Sequence, residues 1–169
     1  KDYSSDAEII RLFYETETIK ITAKTVAKDL EGKYSVENVV FPEKHERAGE
    51  IVVDAGYEIS ELVSEELLTC GVKSVEIVKD STDLLMLKTL AEDGTSTHEE
   101  ALLKIYQRLR PGNPPNLDKA SDLFNEKFFD VNRYRLGRVG RFRINRKFAQ
   151  DISDDEMTLK PEDFINAMK

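Results

Sequence analysis

The residue types that do chemistry are sparse in this sequence and lie far apart. His45 and His98 are 53 positions from each other, with no acidic or thiol partner at the spacing of metal ligands, which favours ordinary surface residues. Cys70 has no histidine nearby in sequence, which is typical of a small buried thiol rather than a nucleophile. These three residues therefore predict neither a catalytic residue nor a metal ligand.

Two further segments have a composition that chemistry can use. The carboxylate run at residues 151–156 has no flanking glycines to tighten a loop around Mg²⁺, so a solvated acidic loop is favoured. Gly137 and Gly140 resemble part of a phosphate-binding loop but lack the Lys-Ser/Thr pair that such a loop requires. No catalytic constellation is visible, and any chemistry of a larger assembly must lie outside this chain.

Positive charge is concentrated in one segment of an otherwise acidic chain. The net charge is −8, from 25 basic and 33 acidic residues. Residues 133–147 carry seven basic residues, six of them arginine, and no acidic one, which leaves −15 on the other 154 residues. Arginine suits bidentate contact with phosphate or carboxylate. Charge alone leaves two interpretations open: a surface for nucleic acid or an acidic partner, or a solvated face neutralised by the chain's own carboxylates.

Length and composition limit the class of protein. With 169 residues, of which 40% are hydrophobic, the chain matches one average domain or one domain carrying an insertion. No apolar run approaches the length that crosses a bilayer, which excludes a membrane span. The single cysteine excludes an internal disulfide and fits a reducing cytoplasm. Because the chain begins without Met and stops within a helical pattern, we expect it to be a piece of a longer protein.

The first half of the chain mixes strand and helix signals. Ser5, with Glu three residues later, has the spacing of a capping box and predicts a helix start. Residues 18–25 alternate apolar and polar side chains, which predicts a strand. Residues 49–78 read as a strand–helix–strand unit, whose helix begins after Ser60 and ends before Gly71. This unit predicts a small α+β module.

The second half is predicted to be helical. Apolar residues at helical spacing precede Pro111, which must end that helix, and Asp118 is the predicted cap of the next one. The arginine-rich segment is favoured as a helix rather than a strand, with Leu136, Val139, Gly140 and Ile144 at helical spacing. Pro161 lies near the start of a last helix.

Three motifs together resemble a known family. They read SDAEII at residues 5–10, EALLKIYQRLRPGNPP at 100–115 and FFDVNRYRLGRVGRFRIN at 128–145. They look like the lobe domain of the bacterial RNA polymerase β subunit. The resemblance implies a mainly helical, discontinuous lobe domain at residues 1–18 and 87–169, interrupted by a lineage-specific insertion at residues 19–86. The α+β character of the inserted module is predicted by its strand and helix pattern alone, and the two parts together predict an α+β fold class.

The resemblance also implies a function. The lobe forms a wall of the DNA channel in DNA-directed RNA polymerase, a nucleotidyltransferase whose Mg²⁺ ions are bound by another subunit, so neither chemistry nor a cofactor is expected in this chain. The implied partners are the other polymerase subunits (β′, α, ω and σ), DNA, and regulatory proteins at the insertion. The implied location is the cytoplasm, with no membrane partner.

Family lobes direct two arginines towards DNA, and these match Arg110 and Arg133. Arg141 is a third candidate by the same resemblance. Arg135 and Arg138 depart from the pattern of many relatives, and they are interpreted either as extra phosphate contacts or as partners of the acidic insertion. A different class of function stays open: a non-catalytic protein-interaction module whose arginine strip docks an acidic partner.

Overall fold

The structure, a computed structural model, describes residues 5–169 and divides into two compact units. The first unit ends at Gly94 and the second begins at Thr95. The first unit contains both strands and helices, whereas the described residues of the second unit form helices without strands. The predicted α+β class, mainly helical with a smaller α+β part, is confirmed.

The first unit is built from three helices and four short strands within residues 5–94. In chain order these are α1 (Asp6–Phe13), β1 (Thr16–Lys20), β2 (Val39–Val40), β3 (Ile51–Val53), α2 (Glu61–Thr69), β4 (Ser74–Val78) and α3 (Leu85–Glu92). A 3₁₀ turn lies at Ala27–Asp29. The strands form two antiparallel pairs. β1 pairs with β4 from Thr16 opposite Val78 to Lys20 opposite Ser74, and β2 pairs with β3.

The larger apolar core of the first unit joins helix α2 to the strands. Leu67 from α2 and Ile77 from β4 are fully buried in the same cluster as Val53 from β3. The ends of α2 follow the sequence signals. The Ser60 hydroxyl caps the N-terminus by accepting from the Val63 amide, and Gly71 follows the helix at φ +87°, a conformation that glycine adopts without strain.

A second core explains why α1 belongs to this unit. Ile10 is fully buried and clusters with Val36, Val78 and Leu87, and α1 packs against α3. The boundary between the two compact units therefore does not coincide with the predicted segment boundaries at residues 18 and 86. Residues 5–18 pack with the predicted module at 19–86 in one unit, because Ile10 clusters with Val36 and Val78 of that module as well as with Leu87 of α3. Whether residues 19–86 are an insertion in the family's history stays a prediction.

The predicted strand at residues 18–25 is displaced in the structure. β1 begins at Thr16 and ends at Lys20. The chain then turns, because the Thr25 amide donates to the Thr22 carbonyl at 3.0 Å and the Thr25 hydroxyl accepts from the Thr22 amide at 3.0 Å. Threonines that alternate like a strand can satisfy their own backbone in a turn, so the pattern overestimated the strand at its C-terminal end.

One ion cluster ties α1 to the strand pair. The Arg11 guanidinium contacts both Glu37 and Glu76, and its Nε donates to Glu76 at 3.1 Å. Glu76 also accepts from the Thr16 hydroxyl at 2.8 Å. The Arg11 hydrogen bond, opposed by burial and assisted by Thr16, holds the pKa of Glu76 below its ordinary value.

We expect Glu76→Gln to reduce the amount by which the free energy of unfolding of the first unit falls as the pH is lowered. A carboxyl whose pKa is lower in the folded than in the unfolded state contributes stability above the unfolded value, and this stability is lost as the pH falls through the folded value. Urea unfolding between about pH 7 and pH 3 measures the effect. The unfolding midpoint of the unchanged protein should fall further with acid than that of Glu76→Gln.

The control for this prediction is Glu65→Gln, which changes an exposed carboxylate on α2. It should keep the acid dependence of the unchanged protein. If the unfolding midpoint falls equally with acid in Glu76→Gln and in the unchanged protein, the role given to Arg11 and Glu76 is contradicted.

The second unit consists of four helices within residues 95–169. These are α4 (His98–Leu109), α5 (Leu117–Phe128), α6 (Arg138–Phe148) and α7 (Pro161–Met168). α4 packs against α5 through a core of Leu102, Tyr106 and Ala120. The helical predictions for the arginine-rich segment and for the segment after Pro161 are confirmed.

The cap of α5 differs from the predicted one. Asn116 precedes the helix, and its side-chain oxygen accepts from the Lys119 amide at 2.9 Å. Asp118 lies in the first turn instead, where its negative charge is favoured by the helix dipole. The sequence offers two capping residues two positions apart, and local propensity does not separate them.

Aromatic side chains connect α5 to α7. The Phe164 ring lies edge-on to Phe128, with ring centroids 5.8 Å apart, and near Phe129 at 6.3 Å. Phe124 contacts the same two phenylalanines from within α5. This cluster holds the C-terminal helix against the end of α5, next to the turn that begins the arginine-rich segment.

Candidate nucleic-acid interface

Arg110 lies at the C-terminal end of α4. Its amide donates to the Tyr106 carbonyl at 2.8 Å, and Pro111 follows it, so the helix cannot continue. The exposed Arg110 side chain lines a shallow groove of about 250 Å³ between α4 and α5, which also includes Asp122 and Glu126. The end of the helix thus fixes the position of Arg110 beside α5.

Arg133 follows the end of α5 in a hydrogen-bonded turn. The amides of Arg133 and Tyr134 both donate to the Asp130 carbonyl, at 3.0 and 2.9 Å. The Arg133 side chain is 67% exposed, and its guanidinium lies 3.9 Å from the nearest carboxylate, that of Glu126. At that distance and exposure the ion pair contributes little, which leaves Arg133 available to another anion.

Glu126 brings the two principal candidates together. It lines the groove that Arg110 borders, and it is also the carboxylate nearest to Arg133. Residues that are 23 positions apart in sequence therefore lie at one edge of α5. Asp122 shares this edge, so the two arginines stand among carboxylates rather than in a purely cationic patch.

Arg135 and Arg138 are also exposed, but each has an internal contact. The Arg135 Nε donates to the Val131 carbonyl at 3.1 Å. The Arg138 guanidinium pairs with Asp155, and both side chains are about 70% exposed, at 72% and 69%. Asp155 belongs to the second unit and not to the segment at 19–86, whose carboxylates were the predicted alternative partners of Arg138. An exposed pair of this kind exchanges readily for another anion.

A close contact at Gly140 fixes the path of the chain between these arginines. The Leu136 amide donates to the Met157 carbonyl at 2.7 Å. The Leu136 side chain reaches so near to α6 that a Cβ at Gly140 would lie 2.8 Å from its Cδ1. The absence of a side chain at Gly140 therefore allows Leu136, which lies between Arg135 and Arg138 in sequence, to pack against α6.

Arg141 is not part of the exposed set, and its prediction as a nucleic-acid contact is corrected. Its side chain is fully buried, and its Nη1 donates to both carboxylate oxygens of Asp163, each at 2.9 Å. It also donates to the backbone carbonyls of Glu156 and Thr158. Asp163 is 4% exposed and accepts from the Lys160 amide as well. This guanidinium holds α6 to α7 and cannot reach a nucleic acid in this fold.

The inward and outward faces of α6 differ from the predicted ones. Val139, which the spacing placed with the apolar residues, is 68% exposed, while Arg141 lies inside. The outward face also carries Arg143 and Arg146, both exposed, which the motif comparison did not single out. The signal for them was the helical period itself, because Arg143 and Arg146 follow Val139 by four and seven residues.

The residues first considered for chemistry lie in ordinary structural positions. The His45 ring stacks on Phe41 with centroids 4.4 Å apart, and Cys70 is buried with its Sγ 3.5 Å from the Leu67 carbonyl. Within residues 5–169 there is no group of three or more histidine, cysteine or acidic side chains that fits a metal ion. The side chains of this range therefore do not fit a Mg²⁺ site. In the same range, no helix combines the length and apolar character needed to span a bilayer.

Comparison with known proteins identifies the family. The family model described as RNA polymerase Rpb2, domain 2, matches residues 62–169. The DNA-directed RNA polymerase subunit beta of Rhodopirellula baltica is 54% identical over 167 residues, which cover 99% of this chain and 14% of that protein. The same subunit is 36% identical over 171 residues in Chlamydia pneumoniae and 37% identical over 166 residues in Solibacter usitatus.

These matches also bear on the extent of the chain. In the Chlamydia pneumoniae protein the match covers 99% of this chain but 13% of the relative, so the chain spans about one seventh of the relatives' length. Residues 19–86 fall inside these matches, so the segment predicted as an insertion has counterparts in other bacterial lineages. From its matching domain and its near-complete alignment with these subunits, the chain belongs to the bacterial RNA polymerase β-subunit family and carries its lobe domain.

Proposed function

We propose that this chain forms part of the wall of the DNA channel in a bacterial RNA polymerase, and that its second unit contacts DNA. The contacts are made by the exposed arginines Arg110, Arg133, Arg135 and Arg138. The observation that carries the proposal is that Arg110 and Arg133, from separate helix ends, lie at one edge of α5 with exposed side chains. The whole enzyme copies a DNA template into RNA, and this chain supplies no group to the chemical step.

Such a surface has to attract DNA without fixing it to one sequence. Contacts between guanidinium groups and phosphates supply this, because they depend on charge and not on base identity. The carboxylates of Asp122 and Glu126 beside the arginines reduce the local positive potential. A reduced positive potential suits a channel wall, because DNA has to move along it during translocation.

The remaining parts of the proposal follow from membership of the family. The enzyme's other subunits, β′, α, ω and σ, assemble with the parent chain in the cytoplasm, and the Mg²⁺ ions of the reaction are held by another subunit. The first unit, with 21 acidic and 11 basic residues in 1–94, serves as a platform for regulatory proteins rather than for DNA. Its net charge of −10 opposes close approach of a phosphate backbone.

Substituting Arg110 and Arg133 in the assembled polymerase tests the DNA contact. The logarithm of the DNA association constant falls linearly with the logarithm of the salt concentration. We expect Arg110→Ala and Arg133→Ala each to make this slope less steep by about one, which corresponds to one lost phosphate contact. Open promoter complexes should also dissociate faster. Filter binding across a salt series measures the slope, and competitor challenge measures the lifetime.

Arg108→Ala is the matched control, since Arg108 is an exposed arginine on the same helix as Arg110. It should leave both the slope and the lifetime unchanged. If Arg110→Ala and Arg133→Ala behave like Arg108→Ala, the DNA contact is refuted, although membership of the polymerase subunit family is unaffected.

A further inference from the structure

The outward face of α6 carries a short stripe of apolar and cationic side chains. Val139 is 68% exposed and Phe142 is 54% exposed. Together with Arg143 and Arg146 they occupy positions i, i+3, i+4 and i+7, which an α-helix places within an arc of about 100°. We call these four residues, Val139, Phe142, Arg143 and Arg146, the outer stripe.

The direction of the outer stripe is fixed by the opposite side of the helix. Arg141 lies about half a turn away from the stripe around the axis of α6. It is held by both carboxylate oxygens of Asp163 and by two backbone carbonyls, so α6 cannot rotate to bury Val139 or Phe142 without breaking a buried ion pair. The exposure of these two apolar side chains is therefore imposed by the fold.

The two arginines of the stripe have no partner among residues 5–169. Neither Arg143 nor Arg146 makes a salt bridge or hydrogen bond there, whereas Arg138 on the same helix pairs with Asp155 and Arg141 pairs with Asp163. Carboxylates are available nearby at the other arginines, yet none reaches the stripe. Two uncovered apolar groups thus lie directly beside two unneutralised guanidinium groups.

We propose that the outer stripe docks an acidic amphipathic helix from a partner protein. Apolar residues of such a helix cover Val139 and Phe142, and its carboxylates form bidentate pairs with Arg143 and Arg146. The four positions span about 10 Å along α6, which matches two turns of a docked helix. None of these residues belongs to the set proposed to contact DNA, so the inference goes beyond that function.

The apolar members decide between a protein and a nucleic acid. A phosphate backbone satisfies arginines but brings no apolar group to cover Val139 and Phe142. Removing those two side chains from water contributes only when the partner itself presents apolar surface. Charge complementarity indicates that the partner helix is acidic, since a cationic or neutral helix leaves both guanidinium groups unpaired in the contact.

A crosslinking and binding experiment on polymerase assembled with the full-length β subunit tests the proposal. The probe is a fluorescein-labelled synthetic helix of three heptads, with leucine on one face and glutamate on the others. With a benzophenone amino acid at position 142, irradiation should crosslink the subunit to this peptide. Fluorescence anisotropy should show that Arg143→Glu combined with Arg146→Glu weakens peptide binding at least about tenfold.

Two controls separate the stripe from general charge and from folding. Lys127→Glu changes an exposed basic residue on α5 and should leave peptide affinity unchanged. A peptide with lysine in place of glutamate should not bind. Phe142→Ser, which replaces an exposed side chain and leaves the Arg141 pair intact, should weaken binding without changing the circular dichroism spectrum.

Several outcomes would overturn the proposal. They are equal affinity of the acidic and basic peptides, unchanged binding in the double charge reversal, and crosslinking from position 142 to DNA or to another subunit of the polymerase instead of to the peptide. None of these outcomes alters the salt-slope test of Arg110 and Arg133, so the two proposals fail independently.

Discussion

Replacing Arg141 with methionine is expected to lower the free energy of unfolding of the second unit by about 3–5 kcal/mol. The substitution leaves the Asp163 carboxylate buried, at 4% exposure, without the guanidinium that neutralises it. It also removes the donors to the Glu156 and Thr158 carbonyls, which join the 151–160 segment to α6. Denaturant unfolding followed by hydrogen exchange of amides in residues 95–169 measures the loss in this unit alone.

Arg143→Met is the matched control, because it makes the same chemical change two residues along the same helix at an exposed position. It should change stability by no more than about 0.5 kcal/mol. The combined change Arg141→Met with Asp163→Leu removes both charges, and it should cost less than Arg141→Met alone. A loss for Arg141→Met no larger than that for Arg143→Met would show that the buried pair is not what holds α6 to α7.

Leu67→Ala should destabilise the first unit by about 2–5 kcal/mol. Leu67 of α2 is fully buried against Val53 of β3 and Ile77 of β4. The substitution removes three side-chain carbons and leaves a cavity, because the closely packed core cannot collapse completely to fill the space. Urea unfolding with hydrogen exchange of amides in residues 5–94 measures the effect, and we expect the second unit to keep its stability.

The comparison for this prediction comes from the same helix. Leu62 is 78% exposed, so Leu62→Ala makes the same side-chain change in α2 without opening a cavity. Its effect should stay within about 0.5 kcal/mol. Similar losses for Leu62→Ala and Leu67→Ala would mean that α2 does not cover the core in the way described.

The helix boundaries that depend on neighbouring residues were predictable from the sequence. The Ser5 hydroxyl and the Glu8 carboxylate make the reciprocal bonds of a capping box, at 3.4 and 3.2 Å. Ser60 caps α2, and Pro161 begins α7. Each signal acts within one turn of helix, so the tertiary fold does not have to be known. Where two such signals compete, as at Asn116 and Asp118, the choice depended on the path of the chain before the helix.

The burial of Arg141 could not be predicted in the same way. Arginine is rarely buried unless it is paired, and the partner of Arg141 lies 22 residues further along the chain in a different helix. Six arginines within 14 residues look alike in composition. Only the packing of α6 against α7 assigns one of them to the interior and leaves Arg143 and Arg146 outside. The sequence therefore indicated which segment carries the candidate surface. Which arginines of that segment are exposed depended on contacts between residues far apart in the chain.

The order in which the ribosome makes α6 and α7 gives the buried pair a further consequence. The arginine helix emerges before its counter-ion exists, since Asp163 is added 22 residues after Arg141. At about 5–20 residues per second, the guanidinium must stay hydrated for one second or more. Until Asp163 has been synthesised, α6 is a cationic segment without its buried ion pair. Its final orientation is therefore fixed only when α7 has formed.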